Sequence, residues 1–216
     1  MITLFDYWRS SAAYRVRIAL NLLGLTFDSV PVDLVQGDQR GADNLARNPQ
    51  GLVPSLQIDG ITLTQSLAII EYLNDTMGGL LPTDPAGRAR VRALSYAIAM
   101  EIAPICNLSV RNHVAAVSGG TVSVEDWQRH YITKGLAAFE AMLNDPATGQ
   151  FCHGDAIGMA DLCLVPQVYN AERVGIDVAS FANIARIMAQ LRDIPAVAAA
   201  HPDRARPHGP AERTPQ

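Results

Sequence analysis

The chain has 216 residues, of which 49% are hydrophobic and 18% are charged, and its formal net charge is -4. This length and hydrophobic content allow one or two domains with a substantial core. Lysine and arginine are scattered among aspartate and glutamate, so the chain offers no broad cationic surface, and we expect neither nucleic acid nor a membrane as a partner.

The first part of the chain alternates between strand and helix patterns. Residues 2–6 alternate in polarity like a short strand, and apolar residues at helical spacing follow over 16–23 until Gly24 supplies a helix stop. Residues 27–32 predict a second strand, and the polar stretch 36–47 predicts a weak helix. The helical crossover makes the first two strands parallel.

A hairpin and a third helix follow. Residues 55–58 and 61–64 are short alternating runs separated by Asp59-Gly60, a pair that suits a two-residue hairpin turn. Ser66 is a candidate cap for a helix that ends near Gly78-Gly79. The pattern up to this point is therefore β-α-β-α-β-β-α.

The rest of the chain contains no convincing strand. A turn-rich segment at 80–86 marks a domain boundary, and the apolar spacing beyond it is helical, with breaks near 118–120, 144–149 and 175–180. We therefore predict a domain over 1–81, an all-helical domain over 87–200 and a tail over 201–216. The tail has almost nothing to bury, so we expect it to lie over the surface or to be disordered.

Cysteine and histidine spacing narrows the possible chemistry. Cys106, Cys152 and Cys163 show no Cys-x-x-Cys spacing, which disfavours both a disulfide framework and a dithiol redox centre. The five histidines, His208 in the tail among them, have no close pairing with other metal-ligating residues, so we expect no metal site. No signal peptide or apolar span is recognisable, and we expect a cytoplasmic protein.

Three short segments could line one crevice. Arg9-Ser10-Ser11 lies between the first strand and the first helix, where a serine can cap the helix or free N–H groups can stabilise an anion such as a thiolate. Val53-Pro54 precedes a strand, where proline is an ordinary strand-start or turn residue and only rarely has a cis bond. Gln65-Ser66 opens a helix and can cap it or hold a carboxylate.

These segments and others resemble one family. The segments are Ser10-Ser11-Ala12-Ala13-Tyr14-Arg15-Val16-Arg17, Asn48-Pro49-Gln50-Gly51-Leu52-Val53-Pro54, Gln65-Ser66-Leu67-Ala68-Ile69-Ile70-Glu71, Asn107-Leu108-Ser109-Val110 and Met159-Ala160-Asp161-Leu162-Cys163. Together they resemble zeta-class glutathione transferases, with the bacterial maleylacetoacetate isomerases the nearest match, along nearly the whole chain up to His201. The resemblance implies a thioredoxin-like domain followed by an all-helical domain that completes the substrate pocket.

The resemblance also implies site residues. The positions implied to bind glutathione are Ser10, Ser11, Ala12, Val53, Pro54, Gln65, Ser66 and Asn107. Among these, Ser10 and Ser11 would contact the sulfur, Val53 would pair its backbone with the cysteinyl part before a cis Pro54, and Gln65 and Ser66 would hold the γ-glutamyl end. Arg9 and Arg173 would bind substrate carboxylates, and Arg9 would act with the serines in catalysis. If the resemblance is set aside, the favoured interpretation of each arginine is a surface residue paired with an acid, as most arginines are.

The implied activity is the glutathione-dependent isomerisation of maleylacetoacetate to fumarylacetoacetate by reversible thiolate addition, in aromatic amino-acid catabolism. Addition gives the cis double bond single-bond character, so that rotation can follow. The alternatives are a maleylpyruvate isomerase, a transferase or dehalogenase acting on small α-halo acids, and a non-enzymatic relative of the same fold. The family further implies a homodimer.

Four positions depart from the family pattern. Ala12 stands where many zeta enzymes have cysteine, so no protein thiol lies beside the glutathione sulfur. Ala103 and Cys106 replace residues that are common in the long helix of bacterial relatives, so the resemblance does not decide between maleylacetoacetate and maleylpyruvate as the substrate. Gly158 stands where relatives usually have a Thr or Ser cap, and glycine costs only a few tenths of a kcal/mol there.

Overall fold

The computed structural model describes residues 1–207, which form four strands and ten α-helices. The strands are β1 (Thr3–Asp6), β2 (Asp28–Pro31), β3 (Ser55–Ile58) and β4 (Ile61–Thr64). The helices are α1 (Ser11–Leu22), α2 (Ala42–Arg47), α3 (Ser66–Met77), α4 (Pro85–Ala99), α5 (Leu108–Val117), α6 (Val124–Met142), α7 (Met159–Arg173), α8 (Ala182–Arg192), α9 (Pro195–Ala199) and α10 (Pro202–Ala205). Within the described residues, every strand precedes Ser66, which confirms the predicted β-α-β-α-β-β-α pattern followed by helices.

The four strands form one mixed sheet in the order β2-β1-β3-β4. β1 pairs with β2 in parallel, with Thr3 opposite Asp28, and β1 pairs with β3 antiparallel. β3 and β4 form the predicted hairpin, in which both turn residues have positive φ, 52° at Asp59 and 77° at Gly60. This backbone matches the right-handed twist of the flanking strands, which explains why the Asp-Gly pair fixes the turn.

A shared core joins the sheet to the helices. Leu4, Ile70, Leu94 and Leu164 are all fully buried in one continuous apolar cluster. α7 lies at its centre, with α1 and α4 packed against it. The start of α1 is therefore held against both the sheet and the helical region.

The junction before α7 accommodates the glycine at position 158. Gly158 is the N-cap of α7, and Asp161 accepts a hydrogen bond from its N–H at 2.9 Å. The other Asp161 carboxylate oxygen accepts from Cys152 N, also at 2.9 Å. A Cβ at Gly158 would lie 3.1 Å from the Leu80 carbonyl oxygen, a close approach to backbone. The helix is thus capped by Asp161 without a hydroxyl at position 158.

The start of the predicted tail is packed against the helices. The His201 ring makes edge contacts with Tyr14 and Tyr169, at centroid distances of 6.2 and 5.4 Å, and Pro202 is buried. The prediction that the tail buries almost nothing is therefore wrong for its first residues, because these residues pack against aromatic side chains of α1 and α7. Residues 208–216 of the predicted tail, with His208, lie outside the described residues.

No helix among residues 1–207 is long and apolar enough to cross a membrane. The same residues contain no group of three or more His, Cys, Asp or Glu side chains arranged to hold a metal ion.

Candidate active site

The turn between β1 and α1 presents main-chain donors and a serine hydroxyl. Ser10 is the N-cap of α1, and its Oγ accepts a hydrogen bond from Ala13 N at 3.2 Å. Within residues 1–207, the N–H groups of Ser11 and Ala12 and the Ser11 hydroxyl make no hydrogen bond. Ser10 therefore caps the helix and keeps its own O–H proton for donation, while Ser11 is unengaged. An anion at this helix start is favoured by these donors and by the helix dipole.

A buried ion pair between β1 and α1 stabilises the turn that joins them. Arg17 Nη1 lies 2.8 and 2.6 Å from the two carboxylate oxygens of Asp6, and both side chains are at most 4% exposed. Arg17 also donates to the carbonyl oxygens of Ala200 and Trp8, at 3.1 and 2.9 Å. Burial raises the pKa of Asp6, against the opposing effect of the Arg17 charge. These contacts fix the end of β1 relative to α1.

Val53 and Pro54 lie at the start of β3 and are joined by a cis peptide bond, as expected from the resemblance. Val53 is buried with Phe5 and Val32 in a small cluster under the sheet edge. In the described part of the chain, the Val53 N–H and C=O groups take part in no hydrogen bond. This backbone is thus available to pair with an extended peptide, in the manner of an added strand.

Gln65 and Ser66 stand at the start of α3. Gln65, not Ser66, is the N-cap, with φ 66° and no side-chain cap bond, so the prediction of a Ser66 cap is wrong. Gln65 is the N-cap because its backbone is non-helical while its carbonyl oxygen already accepts a helical hydrogen bond from Ile69 N at 3.0 Å, which makes Ser66 the first helical residue. Gln65 Nε2 donates to Gln50 Oε1 at 2.7 Å, and Ser66 Oγ accepts from Arg15 Nη1 at 3.2 Å. The first turn of α3 therefore keeps its N–H groups for an anion.

Three arginines that make no ion pair among residues 1–207 lie near one another, and one of them, Arg9, belongs to the α1 turn. Arg9 donates from Nη2 to the Tyr7 hydroxyl at 3.1 Å and packs 4.7 Å from the Trp8 ring. Arg173 ends α7 and lies 5.7 Å from the Tyr169 ring. Neither arginine makes an ion pair within residues 1–207. The surface ion pairs that these arginines would suggest without the family resemblance are therefore absent among the described residues.

Arg111 is the third arginine, and sequence reasoning missed it. It lies on α5, donates from Nη1 to Gln128 Oε1 at 3.1 Å, and its buried Nε has no partner in the described residues. Burial, followed by repulsion from Arg173 and Arg9, lowers the pKa of Arg111. We call Arg9, Arg111 and Arg173 the arginine cluster. The available signal was spacing, since Arg111 follows Asn107 by one helical turn.

The remaining predicted positions lie around this cluster. Asn107 is the N-cap of α5, and its carbonyl oxygen accepts from Arg111 N at 3.0 Å. Cys106 precedes it, and burial raises the pKa of its thiol to about 11, although Arg111 acts in the opposite direction. Cys106 is therefore a neutral thiol near pH 7. Ala103 is half-buried in the segment that leads to these residues.

Sequence comparison connects this arrangement to known proteins. Residues 1–75 match the family model of the glutathione S-transferase N-terminal domain. The chain is 59% identical over 207 residues to the maleylacetoacetate isomerase of Rhizobium meliloti (strain 1021), an alignment that covers 94% of this chain and 97% of that protein. It is 44% identical over 213 residues to the maleylacetoacetate isomerase of Mus musculus, covering 97% of this chain and 95% of that protein.

Solved structures are also similar. A maleylacetoacetate isomerase from Methylobacterium extorquens AM1, with bound malonate and glutathione, superimposes with a TM-score of 0.90 at 42% identity, covering 97% of this chain and 100% of that one. A bacterial zeta-class maleylpyruvate isomerase in its holo form has the same TM-score at 35% identity, covering 94% of this chain and 97% of that one.

Proposed function

Because this chain belongs to the zeta-class glutathione transferases, as an isomerase of the maleylacetoacetate type with glutathione as its cofactor, we propose that it converts maleylacetoacetate to fumarylacetoacetate. The observation that carries the proposal is the arginine cluster, in which three guanidinium groups lie near one another and make no ion pair among residues 1–207. Arg9 of this cluster directly precedes Ser10, the N-cap of the helix start that favours an anion. A dicarboxylate substrate supplies the missing negative charges.

The residues fit the tripeptide along its length. Val53 offers an unpaired N–H and C=O for the cysteinyl part, and the first turn of α3 offers N–H groups for the γ-glutamyl carboxylate. The N–H groups of Ser11 and Ala12 and the two serine hydroxyls lie at the position proposed for the sulfur. We propose that region 1–81 holds glutathione in this way and that region 87–200 completes the substrate pocket.

Glutathione held by these residues would supply a thiolate for reversible addition to the substrate double bond, which permits rotation about that bond. The serine hydroxyls and the start of α1 stabilise the charged sulfur, and both effects lower its pKa. Arg9, Arg111 and Arg173 bind the substrate carboxylates through forked hydrogen bonds and stabilise the negative charge that develops between them. Ala12 adds no competing thiol to this site.

Maleylpyruvate isomerisation is the second candidate, since a maleylpyruvate isomerase has the same TM-score as the maleylacetoacetate enzyme. Purified protein is given each maleyl acid with and without glutathione, and the trans product is measured by chromatography. Glutathione-dependent formation of fumarylacetoacetate, at a higher kcat/KM than for maleylpyruvate, supports the proposal. Halide release from a 2-halo acid with no isomerisation would support a dehalogenase instead, and inertness towards all three would support a non-enzymatic role.

We propose in addition that the protein is a cytoplasmic homodimer serving aromatic catabolism. Large apolar side chains are exposed on neighbouring elements, with Ile61 on β4, Met77 on α3 and Tyr96 on α4, and such a patch suits burial against a second copy. Sedimentation equilibrium measures the mass directly. A mass of one chain at micromolar concentration would contradict the dimer.

A further inference from the structure

Arg15 is a buried arginine to which the proposed reaction gives no role. It lies in the second turn of α1, is 2% exposed, and donates from Nη1 to Ser66 Oγ at 3.2 Å. Its Nε and Nη2 are buried and have no hydrogen-bond partner among residues 1–207. In the same part of the chain, no carboxylate lies within ion-pair distance of it.

An unpaired cation in this position is costly. The guanidinium group of an arginine is a cation, so the burial of Arg15 places a positive charge in the protein interior. Arg17, two residues later on the same helix and equally buried, is held by both carboxylate oxygens of Asp6. A buried cation without such a partner is destabilising, because it loses its hydration and gains no compensating charge. The contrast indicates that the anion for Arg15 comes from a bound molecule.

The hydrogen bond to Ser66 says where that anion binds. A serine hydroxyl has one proton to donate and two lone pairs that accept. Because Ser66 Oγ accepts from Arg15, its single proton is left to donate, and the cation strengthens that donation by polarising the hydroxyl. Ser66 is also the first residue of α3, whose N–H groups lack a side-chain cap. A carboxylate at this helix start would meet a hydroxyl donor, helix N–H groups and a cation behind them.

We infer that Arg15 is a positioning residue for glutathione, which fixes Ser66 as a donor and supplies the charge that stabilises the γ-glutamyl carboxylate. This inference rests on the proposed function, since it concerns the same bound tripeptide. Arg15 would therefore make the protein prefer glutathione over a peptide that lacks the γ-glutamyl α-carboxylate. The effect is on binding of the cofactor, not on the reacting atoms.

Two peptides test the inference by calorimetry: glutathione, and 4-aminobutyryl-cysteinyl-glycine, which lacks only the γ-glutamyl α-carboxylate. Wild type is expected to bind glutathione about 10- to 100-fold more tightly than the second peptide, the range of a charge-assisted hydrogen bond. Arg15→Met is expected to reduce this ratio to about threefold or less, while Arg15→Lys keeps most of it because the charge remains. The matched control is Arg92→Met, since Arg92 pairs with Glu71 on the same α3 and is partly exposed.

A merely structural role gives a different pattern. If Arg15→Met weakens both peptides by the same factor, or leaves the ratio at its wild-type value, the inference is wrong. Urea unfolding establishes that each variant is folded, and Arg15→Gln against Arg15→Lys provides the same comparison if the methionine variant does not fold. Failure of wild type to bind glutathione would overturn the proposed function itself, whereas an unchanged ratio in a glutathione-binding, active variant overturns only the role of Arg15.

Discussion

Replacing Arg111 by methionine separates substrate binding from folding. Methionine keeps a long apolar side chain in the half-buried site on α5 but removes the cation. The change relieves the repulsion that Arg173 and Arg9 exert on Arg111, and it also removes the donor to Gln128 Oε1 at 3.1 Å. In the proposed site, the substrate carboxylates would lose one of the three guanidinium groups of the arginine cluster.

The size of each effect follows from the contacts that are lost and the usual free energies of such contacts. Losing a hydrogen bond between a cation and a carboxylate costs about 1.5–3 kcal/mol, which corresponds to an increase in KM of about 10- to 150-fold. Stability changes little, because the lost bond to Gln128, worth about 1 kcal/mol, is offset by removal of a buried Nε without a partner. We therefore expect the free energy of unfolding to stay within about 1 kcal/mol of wild type.

The assay measures kcat and KM for maleylacetoacetate at saturating glutathione, together with inhibition by malonate and by acetate. Malonate inhibition is expected to weaken by a similar factor to the rise in KM, while inhibition by acetate changes less because one carboxylate needs fewer arginines. Arg186→Met is the control, since Arg186 is an exposed arginine on α8 whose one side-chain hydrogen bond within residues 1–207 is to the Gln150 carbonyl oxygen, at 3.4 Å. Urea unfolding of both variants supplies the stability comparison.

Two results would refute this reasoning. Unchanged KM and unchanged malonate inhibition in Arg111→Met would mean that the arginine cluster does not bind the substrate carboxylates. An equal loss in the Arg186→Met control would mean that net charge, and not the position of Arg111, sets the affinity.

Three further predictions follow from single contacts. Ser11→Ala is expected to lower kcat about 10- to 150-fold, while the affinity for glutathione and the free energy of unfolding stay nearly unchanged. Ser10→Ala is expected to lower kcat as well and to lose about 1 kcal/mol of stability, because Ser10 caps α1. If both variants turned over as fast as wild type, the proposed contact with the sulfur would be contradicted. Asp6→Ala is expected to destabilise the protein by about 3–5 kcal/mol in urea unfolding, because Arg17 is left buried without its partner, and the double variant with Arg17→Met should recover part of the loss. Because the pKa of Cys106 is raised from 9.0 to about 11, its contribution to stability is constant at neutral pH and declines as pH rises above 9. Alkylation of native Cys106 at pH 7.5, followed by mass spectrometry, should accordingly be much slower than in urea, and equal rates would show that the thiol is not buried.

Much of the fold follows from local patterns in the sequence. The Asp59-Gly60 turn, the helix stop at Gly24 and the end of α3 at Gly78 all have positive φ at glycine, as their positions in the pattern predict. The placement of Ser10 and Ser11 at a helix start is equally local, since it needs only a strand followed by an apolar helix pattern. Such features depend on neighbours within a few residues and can be predicted without the tertiary structure.

The sequence by itself therefore determined the order of elements and the position of the serine-bearing turn at the start of α1, whereas the tertiary structure decided which charged groups lie near that turn. Arg9 repels Arg111 although about half the chain separates them in sequence, and Arg15 on α1 donates a hydrogen bond to Ser66 on α3. The residues next to an arginine in the sequence do not show whether its side chain will contact a carboxylate, a hydroxyl or another arginine in the fold. The difference arises only when packing brings distant elements together and buries the charge, because electrostatic energy depends on distance and burial, which local sequence does not encode.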